Sequence, residues 1–109
     1  MKEIQIVVEN DFNIIKHIYL HVDSISLSKD SDDVVYLSVN DSNKLEIKYG
    51  SAIEFRTMDE DNWQVLTIYG TDDGMYKVSC YESKNEPNDK PDTLDGKELI
   101  ERITQWIAF

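Results

Sequence analysis

Alternation of apolar and polar residues constrains the fold of this chain more than any other feature of its sequence. Positions 35–39 read Val, Tyr, Leu, Ser and Val, and positions 45–49 repeat the pattern with Leu, Ile and Tyr between charged residues. A period of two places the apolar side chains on one face of a β-strand and the polar ones on the other. Short segments rich in Asp, Asn, Ser and Gly separate these runs. The pattern therefore predicts an antiparallel β-sheet meander of about six to seven strands with one face in water.

Two places in the strand pattern predict a change in the path of the chain. The apolar set shifts by one position after Ser24, which predicts a bulge or a break near Asp23 and Ser24. Gly50 and Ser51 are short enough to predict a tight hairpin connection between the strands on either side. Residues 10–16 suit either a turn or one short helix, and the sequence leaves both open.

The C-terminal segment carries the one clear helical signal. Asp95 followed by Glu98 is a capping-box pattern at the start of a helix. Apolar residues then recur at helical spacing and form one stripe: Leu99, Ile100, Ile103, Trp106 and Ile107. Residues 83–93, with two prolines and several charges, predict an exposed connection between sheet and helix. These features predict a single α+β domain over residues 1–109, with the helix packed on one face of the sheet.

The charge balance of the chain is strongly acidic. Twenty-two acidic residues stand against eleven basic ones, which gives a formal net charge of −11 at pH 7. Such a field repels phosphate backbones and anionic lipid, so the sequence predicts no direct binding to nucleic acid or to a membrane surface. The apolar run near the N-terminus is too short for a signal peptide or a membrane span, and the single cysteine, Cys80, forms no internal disulfide. The sequence therefore predicts a cytoplasmic protein.

Only one pair of residues has the spacing of a metal site. His17 and His21 would be neighbours on a helix, but on the predicted strand they stand about 13 Å apart. The acidic runs at 30–33 and 59–61 lack the glycine and glutamate positions of an EF-hand loop. Cys80 suits a small core residue better than a nucleophile. The sequence accordingly predicts no enzyme activity, no metal site and no cofactor.

Acidic turns beside aromatic residues form the predicted partner-binding surface. Aromatic side chains supply contact area in protein interfaces, and carboxylates around them attract basic partners. The candidate contact residues share this combination: Asp59, Glu60, Asp61, Trp63, Asp72, Asp73, Tyr76, Tyr19 and Tyr36. Tyr19 and Tyr36 are included because they fall on the polar side of their predicted strands. Ordinary sheet packing is the alternative explanation for each aromatic, and the prevention of edge pairing is the alternative for the acids.

The order of the turns predicts where the acids lie in the sheet. Successive turns of a meander alternate between its two ends, so residues 29–33 and 70–74 are expected to share one rim. Residues 40–43 and 59–63 are expected to share the other. A strand of seven residues is roughly 23 Å long, so the two rims cannot form one compact site.

With this profile the chain resembles the immunity proteins of bacterial polymorphic toxin and contact-dependent growth inhibition systems. The shared features are small size, acidic charge, an antiparallel sheet with one helix, and no active-site motif. The resemblance covers the overall profile of the whole chain and carries over no functional residue. It implies that the partner is a basic toxin domain, commonly a nuclease and an RNase rather than a DNase. The toxin would be blocked at its cationic active-site surface.

Two other classes of protein fit the same residues. A viral or plasmid anti-defence protein that mimics nucleic acid would bind a host nuclease or polymerase through regularly spaced carboxylates. The acids of this chain cluster in turns instead. A small-molecule-binding domain would use a pocket between sheet and helix, and its ligand would raise the thermal stability.

Overall fold

A computed structural model describes residues 3–12, 14–83 and 91–108 of the chain. Within these residues it contains nine β-strands and one α-helix. In chain order the elements are β1 (Ile4–Asn10), β2 (Ile15–Tyr19), β3 (Ile25–Lys29), β4 (Val35–Val39), β5 (Leu45–Ile47), β6 (Ala52–Thr57), β7 (Gln64–Gly70), β8 (Tyr76–Glu82), β9 (Asp92–Leu94) and α1 (Gly96–Ala108). The predicted α+β class, with antiparallel strands and a C-terminal helix, is confirmed.

The described strands form two antiparallel sheets. The larger sheet has the strand order β2-β1-β6-β7-β8-β9, and the smaller one has the order β3-β4-β5. The chain leaves the larger sheet after Tyr19, builds the smaller sheet, and returns at Ala52 to pair β6 with β1. The smaller sheet is therefore a three-stranded insertion between β2 and β6, the two strands that flank β1 in the larger sheet.

The first crossing between the sheets lies where the sequence predicts a break. The side chain of Asn40 holds this crossing, because its Oδ1 accepts hydrogen bonds from the backbone N–H groups of Asp23 at 2.7 Å and Ser24 at 3.2 Å. Its Nδ2 donates to the carbonyl oxygen of His21 at 2.6 Å. The change of parity in the sequence thus marks the point at which the chain passes from one sheet to the other.

The chain crosses between the two sheets a second time at Gly50 and Ser51, where the sequence predicted a hairpin. That prediction is wrong. β5 and β6 belong to different sheets, and the turn between them carries the chain across. Ser51 is buried, and its hydroxyl donates to Oδ1 of Asn10 at 2.6 Å and accepts the N–H of Lys48 at 3.1 Å. These bonds turn the backbone towards the larger sheet, where Tyr49 forms a parallel bridge with Gly70.

The β1–β2 connection is a turn, which resolves the alternative left open for this segment. Asp11 and Phe12 both have positive φ, at 52° and 57°, as in the turns that join tight hairpins. The register that follows pairs Ile6 with Tyr19. Tyr19 therefore lies on the core side, where it packs against the buried cluster, whereas Ile18 is 55% exposed. The prediction that Tyr19 lies on the polar face is wrong, because the turn and not the apolar alternation sets the register.

One hydrophobic core lies between the larger sheet on one side and the smaller sheet and α1 on the other. Its buried members come from both sheets and the helix: Ile4, Ile6, Val8, Val35, Leu37, Val39, Ile47, Ile53, Phe55, Leu66, Ile68, Tyr76, Val78, Leu94, Leu99, Ile103 and Trp106. Cys80, Ile100 and Ile107 pack against this cluster and are partly buried. Inside it the rings of Phe55 and Trp106 lie with their centroids 6.0 Å apart.

The helix begins at the predicted capping box. The N–H of Glu98 donates to Oδ1 of Asp95 at 2.8 Å, and the N–H of Asp95 donates back to Oε1 of Glu98 at 3.2 Å. A further carboxylate from the smaller sheet, that of Asp33, accepts the N–H of Gly96 at 2.8 Å. The start of α1 is therefore tied to the β3–β4 turn as well as to its own cap.

The connection that precedes the helix is described only at its two ends. Most of the predicted exposed segment, residues 84–90, lies outside the described residues. Asp92–Leu94 forms the short strand β9 against β8, which the sequence does not predict.

Candidate protein-binding surface

Two acidic turns lie side by side, as the sequence predicts. The β3–β4 turn and the β7–β8 turn line a common groove of about 230 Å³ that includes Asp32, Asp33 and Asp72. Beneath it, the hydroxyl of Tyr76 donates to the carbonyl oxygen of Ile47 at 3.0 Å, which joins the larger sheet to the smaller one. The long-range packing of the two sheets, and not one continuous meander, brings these turns together.

The other two turns make contacts in separate places. Asn40, in the β4–β5 turn, binds the crossing at residues 21–24. The β6–β7 turn instead receives a hydrogen bond from Ser83, whose Oγ donates to the carbonyl oxygen of Asp61 at 3.2 Å. Met58, at the start of that turn, donates its N–H to the carbonyl oxygen of Glu3 at 3.1 Å.

One carboxylate of the β3–β4 turn, that of Asp30, stabilises the turn itself. Oδ1 of Asp30 accepts the N–H groups of Asp32 at 2.9 Å and Val34 at 3.0 Å, and its Oδ2 accepts the hydroxyl of Tyr36 at 3.1 Å. These bonds, first of all the one from Val34, lower the pKa of Asp30, and the bond to Asp30 raises the pKa of Tyr36. Asp30 is therefore a turn-forming residue.

The other two acidic turns each contain a carboxylate with the same role. The carboxylate of Asp73 accepts the hydroxyl of Thr71 and the N–H of Met75, and these bonds lower its pKa, the hydroxyl most of all. Oδ1 of Asp59 accepts the N–H groups of Asp61 at 3.0 Å and Asn62 at 3.2 Å. Asp59 and Asp73 were predicted as partner contacts, and the structure shows that each also folds its own turn.

Acidification is expected to weaken the folded state through Asp30 and Asp73. Their folded-state pKa values are lowered, so their contribution to stability is present above the unfolded-state pKa of about 3.9 and is lost as the pH falls through the folded-state value. In Asp30→Asn and Asp73→Asn, the fall in Tm on acidification should be shallower than in the wild type. Thermal melts followed by circular dichroism across this pH range measure the slope. Asp72→Asn, at the exposed neighbour of Asp73, is the matched control.

A second group of carboxylates holds no turn. Within the described part of the chain, the carboxylates of Glu60, Asp61 and Asp72 accept no hydrogen bond and form no ion pair. All three residues are exposed. Their charge is therefore available to a partner without loss of a fold contact.

Trp63 lies on the outer face of the larger sheet, the face turned away from the core. The indole is 39% exposed and stands between two open grooves of about 500 and 520 Å³. Arg56 and Val65, which are register partners on β6 and β7, line both grooves together with Trp63. Trp63 and these two grooves are called the Trp63 surface below.

Carboxylates flank the indole in both grooves. Asp59 and Glu60 line the first groove, and Glu54 and Glu82 line the second. Arg56 is partly neutralised by Glu54, with Nη2 and Oε1 3.0 Å apart. An exposed aromatic side chain with acids on both sides suits a contact with a basic protein surface.

The predicted contact residues separate into accessible and inaccessible ones. Tyr76 is only 3% exposed and belongs to the core, where burial raises its pKa. Its inclusion as a contact residue is therefore wrong, because the acidic neighbours in sequence say nothing about which side of β8 is covered. Tyr36 lies on the outer face of the smaller sheet, half-buried and bonded to Asp30.

Sequence reasoning missed several residues of the Trp63 surface. Met58 is 43% exposed in the first groove, and Arg56, Glu54 and Glu82 line the grooves through strand pairing. The pairing of β6 with β7 around their hairpin turn was the available signal. It places Arg56 opposite Val65, and the β7–β8 register places Tyr81 on the other side of Val65.

Comparison with protein-family models, curated proteins and solved structures gave no match. Among the described residues, no group of three or more His, Cys, Asp or Glu side chains could hold a metal ion, and His17 stacks on Tyr19 with ring centroids 6.5 Å apart. No helix in the described ranges has the length and apolar content needed to cross a membrane. Function is therefore inferred from the geometry and charge of the surface.

Proposed function

We propose that this chain is an immunity protein that binds and neutralises a basic bacterial toxin domain. The toxin domain is expected to be a nuclease, an RNase rather than a DNase, and the chain is expected to cover its cationic active-site surface. The observation that carries the proposal is the Trp63 surface, an exposed indole between two grooves flanked by carboxylates on a chain of net charge −11.

The Trp63 surface has an aromatic side chain at its centre and carboxylates around it, an arrangement common in protein interfaces. Tryptophan is enriched among the residues that dominate binding energy, and it carries most weight where surrounding groups exclude water. The indole can also stack on an arginine or lysine side chain of the partner. The carboxylates of Glu60 and Asp61, which hold no turn among the described residues, can then pair with further basic groups.

The overall charge supports the same partner class. A surface built to attract RNA or DNA is cationic, and an anionic protein meets it with favourable long-range attraction. This attraction raises the association rate and weakens as salt screens it. The complex is therefore expected to form rapidly at low ionic strength and more slowly at high ionic strength.

Co-expression with the candidate toxin domain tests the proposal. The expected result is that the chain restores growth to cells that produce the toxin and co-purifies with it as a stable complex. The purified complex should lack the toxin's nuclease activity. Absence of both growth rescue and co-purification would overturn the proposal.

Charge reversal at Glu60 and Asp61 is expected to slow association without unfolding the chain. The double variant Glu60→Lys with Asp61→Lys should lower the association rate constant by about tenfold or more at low salt, because steering charges act mainly on that rate. Asp59 is left unchanged because its carboxylate holds the turn. Stopped-flow or surface-plasmon measurements give the rate, and a thermal melt checks the fold.

The matched control makes the same change in net charge at another part of the surface. Asp23→Lys with Glu101→Lys changes the net charge equally at two exposed residues outside both grooves. It should slow association far less than the Glu60 and Asp61 pair does. Equal slowing by the two double variants would show that net charge alone steers the toxin and that the Trp63 surface is not the contact.

A further inference from the structure

The exposed apolar side chains are concentrated in the β1–β2 turn and in β2. Nine large hydrophobic residues of the described chain are exposed, and five of them fall between positions 12 and 20. These five are Phe12, Ile14, Ile15, Ile18 and Leu20, with exposed fractions between 45% and 82%. Strand alternation places Ile18 on the outer face and Ile15 on the opposite face, so exposed apolar side chains stand on both faces of this edge, and an apolar edge of this kind marks an interaction site.

Among the described strands, β2 is also an unpaired edge of the larger sheet. Its outer backbone groups can form hydrogen bonds with a further strand, which natural edges usually prevent with charges, cover or short length. The other edges carry such protection. β3 packs beside α1, β5 has three residues and contains Glu46, and in β9 Asp92 pairs with Arg102 at 3.0 Å.

The charge of this edge differs from the rest of the molecule. Residues 12–22 contain no Asp or Glu and form the longest acid-free stretch of a chain that has twenty-two acids. Lys16 is the only Lys or Arg in the stretch, and it pairs with Glu9 of the neighbouring strand at 3.5 Å. Two molecules of charge −11 repel each other least where neither presents a carboxylate.

We propose that β2 pairs with β2 of a second copy of this chain in an antiparallel, two-fold symmetric dimer. The pairing would join the two larger sheets into one continuous sheet and, with the axis at Ile18, place the exposed side chain of Ile18 against its symmetry mate. An interface of this kind is self-complementary, because the same strand lies on both sides of the axis. The inference is independent of the proposed toxin partner.

The second copy suits this edge better than the basic toxin does. A cationic partner gains nothing from a segment without acids, whereas the Trp63 surface offers carboxylates to it. β2 and β7 are separated by two strands of the larger sheet, about 14 Å at ordinary strand spacing. One molecule can therefore use β2 for the dimer and keep the Trp63 surface open.

The test is the mass of the purified chain in solution as its concentration is raised. Sedimentation equilibrium should show conversion from 12.7 kDa to twice that mass. Ile18→Lys should weaken the dimer by about tenfold or more, because it replaces a covered apolar side chain with a charge beside the axis. Met58→Lys, the same charge change at a residue with 43% exposure away from β2, should leave the dimer intact.

Two further readouts identify the interface. Amide hydrogen exchange of residues 15–19 should slow as concentration rises, and circular dichroism should show that Ile18→Lys is folded. Added salt should strengthen this dimer of like-charged chains, whereas it should weaken the toxin complex. A monomer at every concentration into the millimolar range, or equal weakening by Ile18→Lys and Met58→Lys, would overturn the proposal while leaving the toxin-binding proposal untouched.

Discussion

Trp106→Ala is expected to lower the free energy of unfolding by about 3–5 kcal/mol, the usual cost of truncating a buried large aromatic side chain. Trp106 is 7% exposed and packs on the ring of Phe55 in the centre of the core. Its removal leaves a cavity beside Phe55, between α1 and the larger sheet. Urea unfolding followed by far-ultraviolet circular dichroism measures the change, since the variant loses a fluorescent residue.

The second tryptophan provides a matched control for this prediction. Trp63→Ala removes an indole that is 39% exposed and lies outside the core cluster, so unfolding should change by no more than about 0.5 kcal/mol. The same variant should weaken the toxin complex, because the proposed anchor is gone. If Trp63→Ala destabilised the fold as much as Trp106→Ala, the division between a structural and an interfacial tryptophan would be wrong.

Gly70→Ala is expected to cost about 3 kcal/mol or more, because the added methyl group has no space. A Cβ atom at this position would overlap the backbone carbonyl group of Lys48 and lie 2.9 Å from the N of Tyr49. Backbone atoms cannot rotate away as a flexible side chain can, so the second crossing must move off β7. The N–H of Gly70 would then lose its hydrogen bond to the carbonyl oxygen of Ser51, now 3.2 Å long. Thermal and urea unfolding measure the loss.

Gly74→Ala is the control that measures the cost of backbone strain alone, without the steric overlap expected in Gly70→Ala. Gly74 has a φ of 80° and no atom within 4 Å of the added Cβ position, so its substitution introduces strain without a clash. The expected cost is about 1–2 kcal/mol, that of a left-handed conformation for a residue with a Cβ atom. A larger loss in Gly74→Ala than in Gly70→Ala would show that the close approach of the second crossing to β7 does not limit stability.

Turn-forming carboxylates account for part of the negative charge that flanks the strand following Trp63, and the proposed function assigns the rest to association. Asp59 and Asp73 hold the turns at the two ends of β7 through their hydrogen bonds to backbone N–H groups. Glu60, Asp61 and Asp72 hold no turn in the described chain. Substitutions in the first pair should act mainly on stability, and substitutions at Glu60 and Asp61, in the turn that carries Trp63, should act mainly on association.

Local patterns in the sequence predicted the local structure. The capping box of Asp95 and Glu98, the apolar stripe of α1 and most of the strands follow from contacts within a few residues, so the amino acids determine them directly. The change of parity at Ser24 also predicted a real break in the strand. Adjacency of Trp63 to acidic residues was likewise visible in the sequence, since neighbours in a turn stay neighbours in space.

Tertiary structure alone decided which strands pair and which face of each strand is covered. Alternation shows that residues share a face, but the partner that covers this face comes from distant parts of the chain. For this reason the hairpin expected at Gly50 is a crossing between sheets, Tyr76 is buried beneath the smaller sheet, and Tyr19 lies on the core side. The same long-range pairing creates the grooves beside Trp63 and leaves β2 as an apolar edge.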